Sequence, residues 1–153
     1  MSAARVSLSD LLAAEAIERV PVDSKVARNL LRQAGNHLTT ASAGTSAGDH
    51  EGAFQLAYDA CRKACLALVL ATGMRTKGSA THVVTFQAAS AIAANFGAGQ
   101  IVHDAANLRF VRHGAEYRAE SVSPEDAQDA IAIGHELLGQ LIAGIERVLQ
   151  PPS

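Results

Sequence analysis

The side chains best suited to chemistry gather between Leu108 and Glu120, in the run LRFVRHGAEYRAE. Arg109, Arg112, His113, Glu116, Tyr117 and Arg118 fall there, in a chain that is otherwise rich in alanine. Arg112 is the most telling of them. Counted from Ile101 at about 100° per residue, Ala105, Leu108 and Arg112 lie within roughly 40° of one direction. A guanidinium that ends an apolar stripe needs a carboxylate, a neighbouring subunit or an anionic ligand. Arg112 and Glu116 are four apart and can form a plain helix-end ion pair. Arg109 and Arg112 also suit the negative end of a helix dipole.

A second polar set lies on an earlier helical pattern: Tyr58, Asp59, Arg62 and Lys63. Its acid and bases are spaced for i,i+3 and i,i+4 pairs on a solvated face. Alternatively, this flank faces Arg112 and completes a polar groove. Tyr117 lies about 140° from Arg112 on a continuous helix. The two converge only if Gly114 breaks the helix or if they meet across a subunit interface.

Other chemistries find no pattern. The six histidines include no pair three or four apart, and there is no HExxH, CxxC or EF-hand loop, so no metal or cofactor is expected. There is no GxGxxG after a strand, no Walker loop and no GxSxG. Cys61 and Cys65 are four apart on one helix, about 5–6 Å between Cβ atoms, too far for a relaxed disulfide; they read as small buried side chains. A formal net charge of −2 removes any global pull toward nucleic acid and leaves room only for a local basic patch.

These residues must be positioned by helices. Ser7 or Ser9 caps a short first helix carrying Leu8, Leu11, Leu12, Ile17 and Val20, which Pro21 ends. Asp23 caps a second, with Val26, Leu30, Ala34, His37 and Leu38 on one side. The run ASAGTSAGD, residues 41–49, reads as a flexible loop. The third helix spans about Glu51 to Thr72, with a tight seam of Leu56, Ala60, Ala64, Ala67 and Ala71 and with Gly73 at its end. A fourth covers about Thr81 to Phe96, and a fifth runs from Gln100 to about Arg112. Ser123, Pro124, Glu125 and Asp126 open the last, an amphipathic helix of about five turns that Pro151 ends. Nothing alternates with period 2, so no strand is expected.

With 153 residues, 48% of them hydrophobic but only 4% aromatic, the chain reads as one compact domain with a core of Ala, Leu, Ile and Val. The fold expected is all-α: an antiparallel up-and-down bundle of four to five core helices with an extra short N-terminal helix. Residues 1–47 are the N-terminal helices and loop, and residues 48–150 the bundle. No basic segment followed by a long apolar run opens the chain, and no apolar stretch is long enough to span a bilayer. It reads as soluble and cytoplasmic, with no membrane partner.

Four blocks then carry a resemblance: FQLAYDACRKACLALVLATGMR, THVVTF, LRFVRHGAEY and SPEDAQDAIAIGHELL. In this order and spacing, over roughly Asp49 to Leu149, the chain resembles HEPN domains, closest to a small, stand-alone, Ala-rich actinobacterial-type subgroup. The resemblance implies a helical bundle that dimerises, with its groove at the two-fold interface. Many such domains are metal-independent RNases whose signature is Arg, a polar residue, a short spacer and His. Others pair with a small nucleotidyltransferase in toxin–antitoxin operons. Arg112 matches the signature arginine and His113 the polar residue after it, while Tyr117 stands where the histidine falls. Tyrosine, with a reference pKa near 10, is a poor base at neutral pH.

Taken with the polar flank and the departure at Tyr117, the expected protein is a homodimer binding RNA or nucleotide phosphate through Arg112, Arg109, Glu116, Tyr58 and Arg62, in a toxin–antitoxin or defence setting, with RNase activity weak or lost. The catalytic candidates are Arg112, His113 and Tyr117. The alternatives are an active RNase that uses His113 or a spatially close histidine, and a structural partner module without a ligand.

Overall fold

Side-chain caps set most helix starts. Ser7 and Asp10 form a reciprocal capping box at the head of α1 (Leu8–Ala13). Asp23 accepts from the Val26 N–H at 3.1 Å to open α2 (Ser24–Ser46), and Asp49 accepts from Gly52 at 2.9 Å to open α3 (His50–Ala71). α4 (Thr81–Ala93) starts without a side-chain cap and runs into a 3-10 turn at Ala94–Phe96. α5 spans Gly99–Tyr117. Ser123 caps α6 (Pro124–Leu149), with Pro124 in its first turn. The computed structural model describes residues 5–117 and 121–150, and side chains for all of these except residues 113–117. The chain is an all-α helical bundle.

α3 is the central helix. Twelve of its 22 residues are buried, six of them alanines: Ala53, Ala57, Ala60, Ala64, Ala67 and Ala71. Methyl-lined faces let α2, α4, α5 and α6 all pack closely against it. α2 belongs to this core rather than to an appended arm, because Ala27, Leu31, Ala34, Leu38 and Ala41 are buried in it. Gly134 on α6 sits so close to α2 that a Cβ there would lie 2.6 Å from Leu38 Cδ2. Cys61 and Cys65 are buried free thiols. No helix among the described residues is long and apolar enough to cross a membrane.

Four local expectations fail, each for a physical reason. The first helix stops at Ala13, where the chain reverses through Glu15 at φ +56°. It then enters β1 (Ile17–Arg19), which pairs antiparallel with β2 (Met74–Thr76), Glu18 opposite Arg75. Three-residue strands are too short to show period-2 alternation. Glu18 also pairs with the Arg75 guanidinium and, at 3.7 Å, with Lys77. Gly73, at φ +77°, makes the turn from α3 into β2, and its carbonyl accepts from Val20 at 2.8 Å.

The predicted loop over residues 41–49 shrinks to 47–49, because α2 runs to Ser46. Thr39, Thr40, Thr45 and Ser46 turn their hydroxyls back onto carbonyls three or four residues earlier, so the polar run is satisfied inside the helix. Val26, placed on the apolar side of α2, is 44% exposed; the buried stripe passes through Ala27 instead. Finally, α5 does not stop near Arg112 but passes through Gly114 without a break.

Candidate functional site

α5 carries its apolar stripe through Ile101, Ala105 and Leu108, all buried, and Arg112 is the next position along it. There the side chain is half-buried against α3. Its Nε donates to Gln55 Oε1 at 3.3 Å, and its guanidinium carbon lies 5.3 Å from the centre of the Tyr58 ring. The Tyr58 ring also meets Phe86 of α4, centroids 5.9 Å apart and planes inclined at 49°. Gln55, Tyr58 and Arg62 recur at i, i+3 and i+7, so one face of α3 presents all three toward α4 and α5.

This corner is cationic. Burial pushes the Tyr58 phenol above its ordinary pKa, while Arg112, Arg62 and Arg109 pull it down. His82, one turn before Phe86 on α4, senses the same charges. Desolvation holds its imidazole below its ordinary pKa, Arg62 and Arg112 add to that, and Asp59 opposes them. An imidazole so placed is neutral at physiological pH and able to accept a proton. Arg62 is itself incompletely satisfied: its Nε is buried without a hydrogen-bond partner, 3.9 Å from Asp59 Oδ1.

The residues singled out in the sequence separate into three groups. Arg112, Tyr58 and Arg62 come together, with Asp59 beside them. Tyr58, however, is only 2% exposed, so it floors the corner instead of belonging to an open polar flank. Lys63 turns away and donates to Gln33 of α2 at 2.7 Å. Arg109 is exposed, its guanidinium 4.9 Å from the ring of Phe110. The side chains of His113, Glu116 and Tyr117 lie outside the described residues. The backbone that carries them is continuous α5, so the break that would let Tyr117 converge on Arg112 within one chain is absent.

Two participants were missed. Gln55 holds the arginine, and His82 supplies the only imidazole shown to feel it among the described residues. Among those residues no group of three His, Cys, Asp or Glu side chains could hold a metal ion. The assembled groups, two guanidinium ions and a neutral imidazole, can hold a phosphate and exchange a proton beside it.

No curated protein and no solved structure matches the chain. A family model, HEPN domain, matches residues 27–142, from the first buried alanine of α2 to the last third of α6 and across the whole Arg112 site. The chain therefore belongs to the HEPN family.

Proposed function

We propose that this chain binds RNA or nucleotide phosphate at the corner where Arg112 and Arg62 meet His82. The carrying observation is Arg112 itself, set at the end of a buried stripe and oriented by Gln55 and Tyr58. HEPN domains commonly dimerise, and in a homodimer this corner would border a shared groove, with Arg109 and Glu116 at its edge. A cytoplasmic toxin–antitoxin or defence setting, with a nucleotidyltransferase partner, suits such a protein. With Tyr117 at the signature histidine's place, cleavage is weak or lost.

His82 favours a second reading, that of an active metal-independent RNase. His82, or His113, would take the proton of the 2′-OH, and O2′ would attack phosphorus while Arg112 holds the phosphate oxygens. The 5′-oxygen would leave with a proton from water, giving a 2′,3′-cyclic phosphate and a 5′-OH.

Both readings are tested with purified protein, several RNAs and EDTA. RNA binding should weaken at least about tenfold in Arg112→Ala and in Arg62→Ala, the scale of a lost charge-assisted contact. Equal binding by wild type and both variants would remove the site. Cleavage in EDTA that vanishes in His82→Ala would establish the RNase reading with His82 as base. Cleavage that vanishes only in His113→Ala would move that role to His113.

A further inference from the structure

A cleft of about 600 Å³ runs along the hairpin of α4 and α5, bordered by the segment that leads into α1. Its size is ordinary for a small-ligand site. Phe86 of α4 and Val102 of α5 are buried and floor it, with the methyl groups of Ala91 and Ala106 beside them. His103 and Asn107 are exposed and stand on its rim, so the floor is apolar and the rim wet. An arginine stands at each end. Arg5 Nη1 lies by the head of α5, 3.4 Å from where a Cβ on Gly99 would stand. Arg109 comes more than two turns later on the same helix, about 15 Å away at 1.5 Å per residue. No Asp or Glu lines the cleft, and neither arginine forms an ion pair among the described residues.

Two cations separated by an apolar floor call for the complement in a ligand: an apolar body with an anion at each end. Each end offers a single guanidinium, so a singly charged carboxylate matches it, bidentate on the guanidinium fork, whereas the second charge of a phosphate would go unmet. The span fixes the length. An extended chain advances about 3.5 Å for every three bonds, so about a dozen bonds cover the distance from Arg5 to Arg109. A chain with one carboxylate would leave the far arginine without a partner, and a short diacid would reach only one of the two. We infer that this cleft binds an unbranched α,ω-dicarboxylate of about 10–12 carbons, its methylene chain on the floor of Phe86 and Val102. The inference goes beyond the proposed phosphate site and shares only Arg109 with it.

The test is calorimetric titration of the full-length chain with dodecanedioate, beside dodecanoate, which lacks one carboxylate, and hexanedioate, which is too short. Dodecanedioate should bind, and each of the other two at least about fivefold more weakly. Arg5→Ala and Arg109→Ala should each weaken dodecanedioate by about fivefold or more, down to the level of dodecanoate on the wild type. Both side chains are exposed, so these variants keep the fold. Lys25→Ala removes an exposed cation of α2 outside the cleft and should leave dodecanedioate binding within about twofold. Absence of dodecanedioate binding overturns the inference, as does binding indifferent to Arg5→Ala. Dodecanoate that binds as tightly as dodecanedioate would overturn the two-ended site, and hexanedioate that binds as tightly would overturn the role of the apolar floor. A loss in Lys25→Ala equal to that in Arg5→Ala would reduce the effect to general attraction of an anion and overturn the inference as well.

Discussion

Arg112 is both a candidate ligand contact and part of the packing, and the two roles can be separated by a double-mutant cycle with Gln55. The Nε–Oε1 hydrogen bond is long, 3.3 Å, and half-buried, so it is worth about 1 kcal/mol. The guanidinium over the Tyr58 ring, at 5.3 Å, adds about 1 kcal/mol. Arg112→Ala should therefore cost about 2 kcal/mol and lower the melting temperature by roughly 4–8 °C in a chain of this length. Gln55→Ala should cost about 1 kcal/mol, less the few tenths that alanine returns as a better helix former. The double variant should fall short of the sum by about 1 kcal/mol. Urea unfolding of the four proteins, read by circular dichroism, gives the coupling directly. Additivity within about 0.3 kcal/mol would refute the claim that Gln55 holds the guanidinium. RNA binding provides the second axis. Freeing one long side chain costs about 0.5–1.5 kcal/mol on re-ordering, so Gln55→Ala should weaken RNA about threefold to tenfold while Arg112 is still present. In the Arg112→Ala background, Gln55→Ala should have no further effect on RNA.

Three further outcomes follow from burial and charge. Burial pushes the Cys61 thiol up to about 12, and Cys65 well above its ordinary value. The folded chain thus keeps protons that the unfolded chain gives up above pH 9, so stability is full below that pH and declines as pH rises toward 12. Cys61 alone should cost about 1.4 kcal/mol by pH 10, and Cys65 adds to the loss in the same direction. With reductant present, the Cys61→Ala/Cys65→Ala double variant should show a much flatter alkaline profile, and parallel profiles would contradict buried, protonated thiols. His82 behaves in the opposite sense: its folded pKa is depressed, so its contribution is full above about pH 6.5 and is lost as pH falls below it. In Arg62→Ala its NMR titration midpoint should move up, and an unmoved midpoint would separate the two residues. Gly134→Ala should destabilise by about 1–3 kcal/mol despite better helix propensity, since the new methyl meets Leu38 Cδ2 in a closed core; an unchanged urea midpoint would mean that α2 gives way there.

Much of the bundle is written locally. Asp23, Asp49 and the Ser123–Pro124 pair cap their helices through side chains within three residues, and α3 shows its alanine seam by spacing alone. The end of α2 was not legible because Ser, Thr and Gly look like a loop until their hydroxyls are seen to close onto the helix itself. The small sheet pairs residues about 57 apart through backbone groups, which no local pattern encodes. The site divides the same way. Arg112 stood out because a charge interrupted an apolar stripe. Gln55 is an unremarked polar residue in a helix until its partner on α5 is placed. His82 had no neighbour of its own type, and its role depends on which turn of α4 faces Arg62 and Arg112.

The alanine seam of α3 has a consequence for how this site responds to what it binds. A buried methyl group has no rotamers, so the six buried alanines of α3 gave up no side-chain freedom on folding and have none to recover. Longer side chains at those positions could rearrange when an anion arrives at Arg112, spreading the disturbance into the core. Here half of the buried positions on the helix that carries Gln55, Tyr58 and Arg62 have nothing to re-sort. Adjustment is left to the long side chains at the surface, and the backbone beneath them serves as a fixed reference for whatever the site holds.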